Sequence, residues 1–326
     1  MKIFITDCDH DSIDIEQKVA RDAGATLELR QAHTEDEVIA GCAGAEALIV
    51  QYAPITGKVL DGLPTVRAVV RYGVGVDTID LDAATARGVI VMNVPDYGTE
   101  EVAEHAIALA MSTLRGVTAL DRRMRQGHYD LDAVMPVPRI SRSVFGILGL
   151  GAIGRDAAKF AEGLGFHVIG HDPYLPADAD LDPAIERVSE EELLSRSDVI
   201  SLHVPLTDTT RHMVNKRFLA AMKPTAILVN TCRGGVVDTE AIVDALRSHE
   251  IHAAALDVFE TEPLPVASPL MALDNVVLTP HAAWYSGPAY EDLKRKAAEH
   301  VVGYLGGEAP KNVVNRKVLD APESLR

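Results

Sequence analysis

Apolar and polar positions follow two alternating rhythms along this chain. Short apolar runs at residues 2–6, 26–29, 45–50 and 66–71 have strand composition, with amphipathic stretches at 12–23 and 35–40 between them. Strand-like and helix-like segments in alternation predict parallel strands joined by crossover helices. A long helix is predicted over 99–127, after which the alternation resumes. Residues 143–148, 166–171, 198–204, 226–230, 252–258 and 275–278 read as strands separated by helical patterns, about six in one unit. A last helix is predicted over 291–303, followed by a short polar tail, 311–326, too small for a third domain but able to fold back on the first. No fixed-period repeat and no low-complexity tract interrupts the pattern.

Length and charge narrow the class. A chain of 326 residues suggests two domains, each able to bury its own core. With 47 % hydrophobic and 24 % charged residues it is globular rather than disordered. A formal net charge of −17 repels nucleic acid and anionic lipid, so an anionic substrate must be held by a few individually placed cations. The densest basic cluster, Arg122, Arg123 and Arg125, reads as a solvated helix face. Cys8, Cys42 and Cys232 are scattered, odd in number and without ligand spacing, which fits a reducing compartment. The N-terminus lacks a signal-peptide core, and no stretch approaches the roughly 18 apolar residues of a membrane span. A cytoplasmic protein is expected. His249-Glu250-Ile251-His252 is not a zinc motif, and no metal, nucleophile motif or Walker A pattern is predicted.

The strongest local signal is Gly149-Leu150-Gly151-Ala152-Ile153-Gly154 at the end of an apolar strand. Gly149 permits a tight turn, Gly151 lets the backbone approach a pyrophosphate, and Gly154 lets a helix over 155–162 pack on the strand. The helix N-terminus at Ala152 and Ile153 offers free N–H groups to phosphate. The next strand ends in Asp172, about 18 residues beyond Gly154, where a carboxylate accepts the ribose hydroxyls of NAD. Pro173, Tyr174 and Leu175 supply no cation for a 2′-phosphate, so NAD is preferred over NADP.

Further motifs complete a larger pattern: Arg71-Tyr72-Gly73-Val74-Gly75-Val76-Asp77, Asn93-Val94-Pro95, Asn230-Thr231-Cys232-Arg233-Gly234-Gly235, Asp257-Val258-Phe259-Glu260-Thr261-Glu262-Pro263 and Thr279-Pro280-His281-Ala282-Ala283-Trp284. Over nearly the whole chain they resemble the D-isomer-specific 2-hydroxyacid dehydrogenases. Trp284-Tyr285-Ser286 after the histidine looks most like the C-terminal binding protein branch. The resemblance implies an α/β fold of two Rossmann-like domains. An NAD-binding domain, 99–288, would be inserted into a discontinuous flavodoxin-like substrate domain, 1–98 and 289–326, with hinges at 97–100 and 286–289. It also implies an active site in the cleft between the domains and a homodimer formed through the cofactor domain, the helix from Thr99 taking part.

The same resemblance implies Arg233, Glu262 and His281 as the catalytic set, and the chemistry asks for such groups. Moving a hydride between C2 of a hydroxy acid and nicotinamide needs a base for the hydroxyl proton, and a neutral imidazole serves near pH 7. In the reductive direction the imidazolium is the acid. A carboxylate beside it, Glu262, favours the imidazolium and fixes the ring tautomer. Arg233 offers paired planar donors to the substrate carboxylate and C2 oxygen. By resemblance, the N–H groups of Val74 and Gly75 hold that carboxylate, with Arg71 at the edge; the alternative is an ordinary strand-ending turn. Cofactor contacts are implied for Thr99, His203, Pro205, Thr231, Cys232 and Asp257, the last near the nicotinamide amide. Thr99 reads equally as a helix N-cap, and Cys232 as a small buried hydrophobe whose thiol pKa Arg233 could lower. Trp284 is expected to wall the substrate pocket and favour an apolar tail such as a thioether, or else to sit in the core or a dimer interface.

Interconversion of a small-molecule 2-oxo acid and its D-2-hydroxy acid with NAD is the expected function. An NAD-sensing corepressor-like scaffold is opposed by the intact triad and by the lack of a long disordered extension. A D-3-phosphoglycerate dehydrogenase often carries an added regulatory domain, for which this chain is expected to end too soon; shorter members of that kind exist, so this alternative stays open. The formate enzymes pair the histidine with Gln, where this chain has Glu262.

Overall fold

In a computed structural model, every pairing between strands of the described residues is parallel. Crossovers then cover the sheet faces with helices, and strand C-termini collect along one edge of each sheet. Residues 1–320 are described, apart from 133, 135 and 177, so the last six residues of the predicted tail, 321–326, lie outside the described residues. The chain divides into two units, Met1–Gly98 with Ser286–Arg326, and Thr99–Tyr285.

The first unit holds β1 (Lys2–Ile5), β2 (Thr26–Leu29), β3 (Ala47–Val50), β4 (Ala68–Arg71) and β5 (Ile90–Met92) in the order β2-β1-β3-β4-β5. This is the flavodoxin-like order. β3 is buried along its whole length, as a central strand covered on both faces should be. Helices α1 (Asp14–Asp22), α2 (Glu35–Gly41), α3 (Gly57–Gly62) and α4 (Leu81–Ala86) connect the strands, and Thr34, Thr56 and Asp80 cap the last three. β5, α3 and α4 are too short for hydrophobic periodicity to mark.

The second unit begins with α5 (Thr99–Leu114) and α6 (Val117–Arg125), where the sequence predicts one helix. Gly116 breaks it: its φ is +62°, a left-handed turn in which a Cβ would lie 2.1 Å from Val134 Cγ1. The sheet follows with β6 (Val144–Leu148), α7 (Ala152–Gly163), β7 (His167–His171), β8 (Ile185–Arg187), α8 (Glu190–Arg196), β9 (Val199–Leu202), α9 (Lys216–Ala220), β10 (Ile227–Asn230), α10 (Thr239–Arg247), β11 (Ala253–Leu256) and β12 (Val276–Leu278). Its order is β12-β11-β10-β9-β6-β7-β8, a Rossmann sheet with one added strand. Seven strands stand where six are predicted, because β8 is a three-residue edge strand with two exposed positions and no apolar run. No helix of the described residues is long and apolar enough to cross a membrane.

The final helix, α11 (Gly287–Leu305), belongs to the first unit and begins earlier than its periodicity suggests. Ser286 Oγ accepts from the Ala289 N–H at 3.1 Å and proline stands in the first turn, so capping chemistry sets the start. The described tail then folds onto β5, as expected. Val314 N–H donates to Val91 O at 2.8 Å, and Asn315 accepts from Val91 N–H and donates to Val89 O, each at 2.9 Å. Replacing Asn315 with Ala strands two buried backbone groups, and each costs about 1–3 kcal/mol. Asn315→Ala should therefore lower the urea midpoint of this unit by an amount worth about 2–6 kcal/mol; an unchanged midpoint would show that the side chain does not anchor the tail.

Candidate active site

In the second sheet the strand order reverses between β6 and β9, and ligands of open α/β sheets bind at the C-terminal ends of strands at such a point. Gly149 follows β6 with φ +97°; a Cβ there would lie 2.5 Å from His203 O, and one on Gly154 would lie 2.0 Å from Gly149 O. Only glycines let turn, helix and the segment after β9 close up this far. Gly151 caps α7 without a side chain, a Cβ there would meet nothing within 4 Å, and the N–H groups of Ala152 and Ile153 donate to no acceptor among the described residues. Asp172 follows β7, and its two carboxylate oxygens accept from Leu150 N–H and Tyr174 N–H, each at 2.9 Å. The carboxylate is thereby held beside the glycine turn with lone pairs to spare.

His203 and Pro205 follow β9. His203 Nε2 lies 2.9 Å from Ser201 Oγ, and burial pushes the imidazole pKa down to about 4. Thr231, Cys232 and Arg233 follow β10. Asn230 Oδ1 accepts from Cys232 N–H at 3.0 Å while its Nδ2 donates to Arg233 O at 3.0 Å, so one buried amide shapes this turn. Thr231 Oγ1 is buried and has no partner. Burial pushes the Cys232 thiol up to about 11, outweighing backbone hydrogen bonds and the Arg233 charge. The idea of an Arg-activated thiol is thus reversed, because desolvation is the larger effect. A Cβ on Gly234 would fall 1.9 Å from the Phe259 carbonyl carbon, so the turn carrying Arg233 lies against the loop carrying Glu262.

Asp257, fully buried after β11, accepts from Thr279 Oγ1 at 2.6 Å, Ala282 N–H at 2.9 Å and Ala283 N–H at 3.0 Å. Its backbone carbonyl accepts from His281 N–H at 2.7 Å. Thr279 Oγ1 is also 3.1 Å from Nε2 of His105 on α5. This clamp holds His281 at φ +53°, a left-handed conformation uncommon outside glycine. His281 Nδ1 donates to Glu262 Oε2 at 2.7 Å, and Glu262 Oε1 accepts from Phe259 N–H at 2.8 Å. Partial burial pushes the Glu262 carboxyl up, but the His281 hydrogen bond and charge, the Phe259 N–H and the Arg233 charge together hold it below its ordinary value. Trp284 is half-buried, its ring edge-on to the exposed Tyr285 with centroids 5.6 Å apart. Thr99 is the first residue of α5, inside the helix rather than its cap.

In the first unit, Arg71 ends β4 and the loop after it carries Val74 and Gly75. Asn93 Nδ2 donates to Val74 O at 2.7 Å and Val94 N–H to Gly73 O at 3.0 Å, which pins the loop by its carbonyls. No acceptor among the described residues pairs with the N–H of Val74 or Gly75. Asn230, Thr279, His105 and Ser201 are organising residues that motif reading passed over; the first two stand inside quoted motifs, while nothing in the sequence marks the others. Among the described residues no group of three or more His, Cys, Asp and Glu could hold a metal ion.

A dinucleotide fingerprint at a switch point, with a hydrogen-bonded histidine–carboxylate pair a few strands along, belongs to oxidoreductases that move a hydride to or from nicotinamide. The residues fit that cofactor: α7 is uncapped, Asp172 stands by the turn, and the Thr231 hydroxyl lacks a partner. Residues 107–283 match the family "D-isomer specific 2-hydroxyacid dehydrogenase, NAD binding domain", and the chain belongs to that family. It is an NAD-dependent oxidoreductase that interconverts 2-oxo acids and D-2-hydroxy acids. The chain is 42 % identical over 270 residues to a glyoxylate reductase of Korarchaeum cryptofilum, covering 82 % of this chain and 81 % of that one. It is 37 % identical over 318 residues to a D-3-phosphoglycerate dehydrogenase of Methanocaldococcus jannaschii, covering 97 % of this chain but only 59 % of that longer protein. The structure of D-lactate dehydrogenase from Aquifex aeolicus, complexed with NAD and lactic acid, superposes with a TM-score of 0.85 at 29 % identity, covering 94 % of this chain and 96 % of that one.

His203 carries a pH dependence whose sign follows from its depressed pKa. Between its ordinary value of 6.5 and about 4 the unfolded chain binds a proton that the folded chain refuses. Stability is therefore fully present above pH 6.5 and lost as pH falls through that window. Thermal unfolding across the window should show a shallower acid-side fall for His203→Gln than for the parent chain. Identical slopes would mean that the imidazole is not buried in its neutral form.

Proposed function

We propose that the chain reduces a small 2-oxo acid with an uncharged tail to its D-2-hydroxy acid, with His281 as proton donor and Arg233 as the cation facing the substrate. The observation that carries this reading is the 2.7 Å hydrogen bond from His281 Nδ1 to a Glu262 carboxylate held below its ordinary pKa. An anionic partner on Nδ1 fixes the tautomer and leaves Nε2 to exchange a proton with the C2 oxygen. The chemistry that a bound nicotinamide dinucleotide would supply there is hydride exchange with C2 of the substrate. Gly149, Gly151, Ala152, Ile153 and Gly154 would hold its pyrophosphate, Asp172 the ribose hydroxyls, and Thr99, His203, Pro205, Thr231, Cys232 and Asp257 the remainder. The carboxyl group of Asp257 already serves three protein donors, so its share in that contact is limited to its remaining lone pairs.

Val74 and Gly75 would give their N–H groups to the substrate carboxylate with Arg71 beside them, supported by the lack of a described acceptor for either. A partly buried aromatic at Trp284 suits an uncharged tail over a phosphate-bearing one. The glyoxylate reductase relative supports a short one. We assign 99–288 to the NAD-binding domain and 1–98 with 289–326 to the substrate domain, a reading supported by the division of the chain at residues 98 and 286. Three free cysteines support a reducing, cytoplasmic setting. A homodimer through the NAD domain is supported by α6, which buries none of its residues, and by exposed Val117, Met124, Tyr129 and Leu131 around it.

NADH oxidation should be measured with glyoxylate, pyruvate, hydroxypyruvate, phenylpyruvate and 4-methylthio-2-oxobutyrate. Turnover is expected on at least one, falling as pH rises from neutral to alkaline, and His281→Gln should lower kcat by about 10²–10⁴ while sparing NADH affinity. A variant that keeps full turnover, or a parent chain that binds NADH and turns over none of the panel, would overturn the assignment. For the dimer, sedimentation should give twice the chain mass, and Tyr129→Glu with Leu131→Glu should shift it toward monomer; a monomeric parent chain would refute the interface.

A further inference from the structure

A second set of ionisable side chains lies buried in the first unit, where the proposed chemistry has no use for it. Glu16 on α1 and Lys294 on α11 are both almost wholly buried, with Lys294 Nζ 3.7 Å from Glu16 Oε2. Lys294 Nζ also donates to Ser12 O and lies 3.4 Å from Tyr290 Oη. The other oxygen of Glu16 accepts from Tyr72 Oη at 2.7 Å. His10 fills the remaining space, edge-on to Tyr72 at 4.9 Å and to Tyr290 at 5.1 Å, with neither ring nitrogen bonded and Nδ1 3.9 Å from Glu16 Oε1.

Such a cluster is a costly choice for stability alone. Taking a carboxylate and an ammonium out of water costs more than packing apolar side chains of the same volume, and replacing a buried pair with hydrocarbon is often neutral or stabilising. Glu16 Oε2 even lacks a hydrogen bond. The pair does supply direction: a carboxylate held by a counter-ion accepts a hydroxyl along a defined line, which packing of an aromatic ring cannot impose. The hydroxyl so held is that of Tyr72, the residue between Arg71 and Gly73 in the loop read above as the substrate-carboxylate site. Tyr72 N–H donates to Val50 O at 2.9 Å, so both ends of this residue are tied.

We propose that Glu16 is a positioning residue for substrate binding: neutralised by Lys294 and packed by His10, it locks Tyr72 and thereby sets the register of Arg71 and of the Val74 and Gly75 N–H groups. The inference rests on the reading of that loop as the carboxylate site. Loss of the lock leaves the loop able to sample other registers, so the effect falls on substrate affinity and not on the NAD site, whose proposed residues lie in 99–285. Helix α11 thus contributes Lys294, a residue distant in sequence, to the loop's order.

The test uses the full chain and measures KM for the best 2-oxo acid, kcat, NADH affinity and thermal midpoint. Tyr72→Phe keeps the ring and removes the hydroxyl; Glu16→Leu with Lys294→Met removes both charges together. Each should raise KM about tenfold with NADH affinity unchanged, and the double variant should do so with an unchanged or higher thermal midpoint. KM within twofold of the parent in both variants overturns the proposal. If the double variant fails to fold, Tyr72→Phe decides by the same ratio. Arg71→Gln separates the two readings: if its KM is unchanged the loop is not the carboxylate site and the inference falls with it, whereas a raised KM there beside unaltered cluster variants refutes the positioning role alone.

Discussion

The buried carboxyl group of Asp257 is the constraint on which the candidate site depends. A carboxyl group this deep is costly to bury unless it is hydrogen-bonded, and its three donors all come from residues 279–283. The demand for donors therefore folds that loop back onto the end of β11. His281 inherits its backbone conformation, and through it a distance to Glu262, from a group that never touches it by side chain. Glu262 is in turn bound to the backbone of Phe259, and the Phe259 segment packs against Gly234 beside Arg233. The three side chains proposed for the chemistry thus share a scaffold of backbone contacts tied to one buried carboxyl group.

The first unit repeats the device at the end of β1. Asp7, also buried, accepts from Tyr52 N–H at 2.7 Å, Ala53 N–H at 3.1 Å and the Thr6 hydroxyl at 2.7 Å, fixing the loop that follows β3. In a parallel sheet the strand ends present their loops side by side, so a carboxylate at one strand end is within reach of N–H groups beyond its neighbour. Buried acids are one way for such a sheet to order loops that have no ladder of their own. Each is satisfied by two or more backbone N–H groups and one threonine hydroxyl, so neither is left as an unpaired buried polar group.

The alternation of short apolar runs was enough to show two parallel α/β units, and the glycine spacing with Asp172 was enough to mark the dinucleotide turn. Both are local signals: burial on both faces leaves a run, and a tight turn leaves a glycine. Elements of three to six residues, β5, β8, α3 and α4, carry too few positions to show a period, and the break at Gly116 depends on a Val134 contact that periodicity does not contain. Capping by Ser286 moved the start of α11 for the same reason, since one hydroxyl outweighs the weak pattern of a first turn.

By itself the sequence determined which residue types were available and the order of the motifs: Arg233, Glu262 and His281 follow a dinucleotide strand at spacings that resemble one family. Only the tertiary structure decided which of them meet. His281 lies 2.7 Å from Glu262, Asp257 is spent on holding a loop, the Cys232 thiol is pushed up rather than activated, and Tyr72, Glu16 and Lys294 converge from three parts of the chain. The reason is physical. Hydrogen bonds and desolvation act over a few ångströms between groups brought together by strand order, and strand order is a property of the folded sheet, not of any window of sequence.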